Sequence, residues 1–478
     1  MKSSTIHYYF REREKLLELA DRIINLASDF GAKYADVRIQ RAYSTNIRMV
    51  KDHFEYIIGG IDQGLGVRVL YNNAWGFSSA SSLRQEDVEK AVKNAVEIAK
   101  AASFRVKEKV ELSHEKTFED TVYTPVKVPL RDVEMKDKID LVTNLSEIIR
   151  EYSSKIVSVT AVYGEAFGDV VIATSDGAKV SVKPSRATVA FLAVAKEGEK
   201  ITSCAERLGS SGGYEIFEGL NVEGKAREIA ERAVNLLKAK PAPSGRFTVI
   251  ADPELAGVFA HEAVGHACEG DHVITGESIL QDKVGQMAGS EHVTIYDDPT
   301  YPNGWGSFKY DMEGVLARKR LLIERGILKE FITNREVAAK LNTTSNGGAR
   351  AESYAFRPIV RMSNTCIAVG DYTFEEMLED INRGVYVKGT KGGQVDPAKG
   401  TFQFSAMEAY MIEHGKITTP LLDVSLSGLT LETLRNIDAV SKDFAMHVGY
   451  CGKEDQSVPT GDGSPHIRIR NAVLGGIA

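Results

Sequence analysis

A chain of 478 residues is too long for one ordinary hydrophobic core and points to two or three domains. With 43% hydrophobic and 26% charged residues and no low-complexity tract, it excludes extensive disorder. The net charge of -7 supplies no basic face for nucleic acid, no apolar run nears the ~20 residues that span a bilayer, and four scattered cysteines with no CxxC pair exclude a disulfide scaffold or a four-cysteine zinc site.

Charged residues 11–15 come directly after residues 1–10, so no apolar leader is expected and a cytoplasmic protein is the default. Apolar residues at helical spacing predict a helix over 11–30, from Leu16 through Ile23 to Ala27. Short β-rich runs come next, Ala35–Ile39 and Leu65–Leu70, and then Asn72-Asn73 as a turn into Trp75-Gly76-Phe77. Gly64 and Gly66 complete no nucleotide-binding pattern and read as a tight strand entry. Helices are expected over 84–103, 133–152 and 222–238, with strands between 156 and 208. The cluster Pro241-Ala242-Pro243-Ser244-Gly245 marks a boundary. The expected fold is α+β: an α/β N-terminal domain over 1–240 and a mainly β C-terminal domain over 241–478. The second domain opens with strand 246–251, and Asp252-Pro253 then caps a helix. Farther on, Asn346-Gly347-Gly348, Asn382-Arg383-Gly384, Gly392-Gly393 and Gly461-Asp462-Gly463 read as turns between short strands.

That helix carries His261-Glu262-Ala263-Val264-Gly265-His266. Neutral imidazoles are zinc ligands, a catalytic zinc lowers the pKa of water to about 7, and a carboxylate beside the first ligand can accept and return the proton. These residues are the minimum set for metal-assisted amide hydrolysis. Their spacing is i, i+5, whereas the common zinc helix uses i, i+4. At ~100° per residue, five steps leave the two rings ~140° apart on a regular helix. A shared ion therefore needs a π-bulge, with Gly265 permitting the distortion, or an early end to the helix. A regular helix with diverging rings would instead leave two histidines bonded to backbone carbonyls. Glu269, Asp271 and the adjacent His272 are nearby third-ligand candidates; His292, His414, His447 and His466 lie farther away. Each cysteine reads as a buried thiol, with Cys268 packed on the motif helix.

The motif and its continuation Ala267-Cys268-Glu269-Gly270-Asp271 resemble the HExxxH segment of the TldD/PmbA family of metallopeptidases, in its TldD-type, motif-bearing form. Gly64-Leu65-Gly66-Val67-Arg68-Val69 with Trp75-Gly76-Phe77, Arg361-Met362-Ser363-Asn364-Thr365, and Gly449-Tyr450-Cys451-Gly452-Lys453 resemble three further family segments in the same order. The resemblance implies one zinc per chain held by His261, His266 and Cys451, with Glu262 as general base. It also implies cleavage of unfolded peptides inside an enclosed cavity, and a dimer with a paralogous PmbA-type subunit or with a second copy. A loop bearing Cys451, flanked by Gly449 and Gly452, would let the thiol approach a metal closely. Arg350, Tyr354 and Arg361 lie in β-rich segments and are candidates for substrate carbonyls or an oxyanion. The alternative functions are a non-catalytic binding subunit and a regulator of a DNA enzyme or toxin system; the acidic balance argues against direct contact with DNA.

Overall fold

The computed structural model describes residues 3–106 and 108–475, and is of mixed α+β class. The first 211 residues supply α1 (Ser3–Asp29), β1 (Tyr34–Val50), β2 (His53–Tyr71), β3 (Ala74–Ala80), α2 (Gln85–Ser103), β4 (Glu119–Tyr123), α3 (Met135–Glu151), β5 (Ile156–Thr174), β6 (Lys179–Lys183), β7 (Ser185–Glu197) and β8 (Lys200–Ser211). These strands form one sheet in the order β3-β2-β1-β5-β6-β4, with β7 also on β5 and β8 outside β7. Helix α4 (Val222–Asn235) comes next. The helices bury one apolar side each. Leu16, Ala20, Ile23 and Ala27 of α1 pack with α2 on Val37, Ile39 and Val67, while α3 and α4 cover Tyr163, Val189 and Phe191.

Gly64 and Gly66 sit inside β2, not at a strand entry. A Cβ on Gly64 would lie 2.3 Å from the Tyr354 ring, and one on Gly66 would lie 2.1 Å from the Tyr354 carbonyl. The two glycines thus make room for a segment from the other half of the chain.

Residues 240–475 build the remaining sheets. After β9 (Lys240–Pro241) and β10 (Gly245–Ala251) comes α5 (Pro253–Phe259). Beyond it lie the short strands β11 (Ile295–Asp297), β12 (Arg320–Glu324), β13 (Ile327–Leu328), β14 (Ala349–Arg350), β15 (Ile359–Val360) and β16 (Asn364–Ile367). The last are β17 (Arg383–Asp396), β18 (Thr401–Glu413), β19 (Lys416–Leu422), β20 (Ser425–Leu429), β21 (Ile437–Val440), β22 (Ala445–Lys453), β23 (Gln456–Ser464) and β24 (Ile467–Gly475). The pairings β17-β10-β24-β20-β18-β17 close a ring, which removes the edges of those strands. A second sheet runs β13-β12-β11-β16-β23-β22 and ends on β22.

Helix α5 lies between the ring and this second sheet. Its apolar residues Leu255, Ala256 and Phe259 share one core with Val385, Val387, Phe404 and Ile467, and Phe259 meets Phe402 edge-on at 5.2 Å. Gly257 brings the helix against β23, since a Cβ there would stand 3.0 Å from the Asp462 backbone. Two of the expected turns are strand interior: Gly461-Asp462-Gly463 lies within β23, and Gly392-Gly393 within β17 beside a register shift. The glycines of β23 serve close approach. A Cβ on Gly461 would lie 2.4 Å from Asn364 Oδ1, and one on Gly463 would lie 2.7 Å from Cys366 Sγ.

Candidate metal centre

Asp252 caps α5 by accepting the Leu255 N–H at 2.9 Å, and Pro253 occupies the first turn. The helix then widens. Residues Ala260–Gly265 form a π-helix, and the His266 N–H donates to the carbonyl of His261, five residues back. The wider turn absorbs the extra residue, so the two imidazoles lie on one side with ring centroids 5.3 Å apart. Gly265 has ordinary helical torsions, φ -56 and ψ -52, so it is not there for backbone freedom. It is there for space: a Cβ would stand 1.9 Å from Sδ of the buried Met362.

The third group arrives from β22. Cys451 pairs with Val458 in an edge strand, not in a loop, because β22 and β23 form a hairpin ladder along their whole length. His261, His266 and Cys451 are all buried and present ligand atoms within 4.8 Å of one another. Cys451 Sγ lies 3.5 Å from His266 Nε2. Tetrahedral zinc with a sulfur at about 2.3 Å and a nitrogen at about 2.05 Å sets these atoms ~3.6 Å apart. The donor set therefore fits that ion by distance and chemistry, and a set of two nitrogens and one sulfur leaves a fourth position open.

Two carboxylates stand behind the imidazoles. His266 Nδ1 is 3.0 Å from Glu269 Oε2, which leaves Nε2 facing the thiol. His261 Nδ1 is 2.8 Å from Asp462 Oδ1, close enough to pair but oblique to a hydrogen-bond axis. Such outer partners fix the tautomer and ring orientation of metal-binding histidines. Glu269 is in turn held by Lys453 at 3.2 Å, and Lys453 also binds Asp271 at 2.8 and 2.9 Å. Glu269, Asp271 and His272 form a second group with metal-ligating atoms, but the Lys453 ammonium already sits against both carboxylates.

Electrostatics favour a thiolate. Burial pushes the Cys451 thiol up, but the two imidazoles outweigh it and bring it down to about 5. Burial disfavours the charged form of His266, yet Glu269 and Cys451 raise it to about 10; for His261, Asp462 and Cys451 likewise overcome burial and raise it well above the ordinary value. Burial works against Glu269 ionising, but Lys453 and His266 hold its carboxyl below the usual range.

Glu262 is the partly open member. Its side chain is 34% exposed, and Oε2 lies 3.7 Å from His266 Nε2. A half-exposed carboxylate thus stands beside the second imidazole. Cys268 is fully buried in the core of the second half, and burial pushes its thiol up.

The three residues read as candidate substrate contacts are engaged within the protein. Arg361 is fully buried and donates to the carbonyls of Cys451 and Gln456, so it positions the strand that bears the thiol. Arg350 donates to the carbonyls of Met362 and Pro459, and the Tyr354 hydroxyl donates to Asp62 at 2.9 Å. Sequence reasoning missed Asp462 because Gly-Asp-Gly carries a turn signal; its only visible cue was its place shortly after the cysteine-bearing run.

Three family models match the chain: PmbA/TldA metallopeptidase domain 1 over residues 35–99, the central domain over 128–237 and the C-terminal domain over 244–476. A metalloprotease of Methanocaldococcus jannaschii is 42% identical over 95% of this chain and 97% of its own length. A zinc metalloprotease TldD homolog of Saccharolobus solfataricus is 31% identical over 95% of this chain and 99% of its own. Among solved structures, TldE from Thermococcus kodakarensis superposes with a TM-score of 0.79 at 20% identity, covering 96% of this chain and all (100%) of that one. A candidate modulator of a DNA gyrase from Thermotoga maritima does so at 0.80 and 22%, covering 96% and 99%. At those identities the structural likeness speaks for the fold.

Proposed function

The chain belongs to the PmbA/TldD metallopeptidase family, and from that premise we propose that it is a zinc-dependent peptidase whose ion is held by His261, His266 and Cys451. The observation that carries this reading is the meeting of two helix imidazoles and one strand thiol, their ligand atoms within 4.8 Å of one another and the thiol at tetrahedral-edge distance from His266. When bound, zinc supplies Lewis-acid polarisation of a peptide carbonyl and a water acidic enough to ionise near neutral pH. Glu262, whose Oε2 lies 3.7 Å from His266 Nε2, would act as the general base, taking a proton from water and returning it to the leaving amine. Glu269 and Asp462 hold the imidazoles with Nδ1 outward, and Arg361 fixes the carbonyl of Cys451.

The substrate is an unfolded peptide or small protein. Main-chain pairing along an exposed strand edge would accept many side chains, and β22 ends its sheet. We further propose a division into units 1–240 and 241–478, and a dimer with a paralogous PmbA-type subunit or a second copy. A reducing cytoplasm suits a thiolate ligand and four unpaired cysteines. A purely non-catalytic subunit has no need of an accessible carboxylate beside the three donors, which favours the enzyme.

Purified protein should contain about one zinc per chain and cleave unstructured peptides in a chelator-sensitive way. Glu262→Gln should keep the zinc and lose about 10²–10⁴-fold in cleavage rate, the usual contribution of a general base. Cleavage that survives Glu262→Gln, or zinc that survives His261→Ala together with Cys451→Ala, would contradict the assignment.

A further inference from the structure

A stack of two rings flanked by two cations joins the first sheet to the strand that bears Cys451. Arg186 of β7 holds its Cζ 5.7 Å from the Trp305 ring, Trp305 meets Tyr450 edge-on at 5.8 Å, and Arg207 of β8 stands 5.7 Å from Tyr450. Tyr450 directly precedes Cys451, so the stack lies on the other face of β22, one residue from the proposed zinc ligand.

Neither Arg186 nor Arg207 has a carboxylate partner among the described residues. Trp305 is 2% exposed, and its Nε1 donor has no partner either. Buried donors are nearly always satisfied, and here the buried donor without a partner is the indole N–H; Arg186 is half-buried beside it and Arg207 is exposed. Nearby Arg350 and Arg361 are bonded only to carbonyls. Burial, followed by the charges of Arg361 and Arg186, pushes Arg350 down to about 9. Several guanidinium groups thus share one region with no anion bonded to any of them among the described residues.

We infer that Arg186 and the indole N–H of Trp305 form a subsite for a carboxylate of the peptide substrate, across β22 from the three metal-binding side chains. This rests on the peptidase reading for its choice of ligand. The chemistry itself is general. The flat guanidinium fork matches a planar carboxylate, and the indole N–H of the neighbouring ring is a further donor. A peptide can bring that group from its C-terminus or from an acidic side chain. The same stack without a ligand would serve only to clasp β8 to β22.

The test uses zinc-loaded, full-length Glu262→Gln protein, which binds peptide without turnover. Calorimetry compares an unstructured N-acetylated pentapeptide as its C-terminal acid, as its amide, and as an amide ending in glutamate. The acid should bind about 10-fold more tightly than the plain amide. Adding Arg186→Gln should erase that preference and leave both the zinc content and the affinity for the amide unchanged. Tight binding of the glutamate-ended amide assigns the site to side chains, and weak binding assigns it to the terminus. Acetate alone should change tryptophan fluorescence in the parent and not in Arg186→Gln, an arm that reads the subsite even where peptide cleavage fails. Equal affinity of acid and amide, with no acetate response, overturns the inference. So does an Arg186→Gln variant that weakens all peptides alike and melts earlier, which would make the stack a clasp.

Discussion

Gly265→Ala separates space from conformation at the widened turn. The backbone there is ordinary helix, φ -56 and ψ -52, so alanine suits it and by itself should add up to about 1 kcal/mol of stability. The new methyl, however, would start 1.9 Å from Met362 Sδ and 3.3 Å from its Cγ and Cε. Ordinary contact begins near 3.4 Å, so helix and methionine must part by about 1.5 Å, and Met362 is fully buried. Overpacking of this kind costs about 1–3 kcal/mol. The net loss should be about 0–3 kcal/mol by urea denaturation. The larger effect should fall on the metal, because His266 is the next residue and moves with the helix. Zinc affinity, measured by competition with a chromophoric chelator, should drop at least ~10-fold. Met362→Ala in the same chain should restore part of it, with a coupling of about 1–2 kcal/mol in the double-mutant cycle. A Gly265→Ala protein that melts higher than the parent and binds zinc equally well would refute the claim that this contact holds the second histidine in place.

Asp462→Asn should leave the fold intact and weaken zinc binding about 10–100-fold by chelator competition, because it removes the charge behind His261. Arg320→Ala should cost about 3–5 kcal/mol in urea unfolding. It strips the partner from fully buried Asp297, which also holds the Ser363 N–H and the Ser363 and Thr365 hydroxyls. Glu254 should impose a pH slope. Burial, then Asp252 and Glu206, push its carboxyl up to about 8, with Arg232 opposing. The native state keeps a proton that the unfolded chain releases near pH ~4.3, so stability falls as pH rises between these values and levels off above about 8. Glu254→Gln should flatten the melting temperature between about pH 5 and 8; an unchanged slope would remove Glu254 as the cause.

The helices of the first half were legible from apolar spacing, because each lays one side on the sheet: Val88, Ala91, Val92, Ala95 and Val96 of α2 are all buried. The metal motif was legible as chemistry, and its i, i+5 spacing already required either a widened turn or an early end to the helix if both rings were to share one ion. The thiol was not legible from residue types alone. Cys451 lies 185 positions beyond His266, a separation no local pattern bridges, and only the resemblance singled it out. Glycine misled at Gly64 and Gly66, at Gly392-Gly393 and at Gly461-Asp462-Gly463, because it signals both turns and tight contacts. In Gly461-Asp462-Gly463 the strand neighbours Asn364 and Cys366 require the missing side chains, and this hid the carboxylate between them. Arg361 looked available for substrate because sequence shows charge but not the carbonyls that absorb it.

One surplus residue in the widened turn has a consequence for the segment behind the motif. Losing a single codon from the stretch Ala263–Gly265 would leave two histidines four apart, still on one flank of a regular helix. Both nitrogen donors survive such a deletion. The deletion removes the wide turn itself: the bond from the second histidine's N–H to the first one's carbonyl would close over four residues in place of five, the ordinary helical span. Glu269 stays three residues beyond the second imidazole, on the same side of the deletion, so its pairing there and its tie to Lys453 keep their local path. The surplus residue is thus absorbed where it stands, and the segment behind the motif keeps the carboxylate that backs the second histidine.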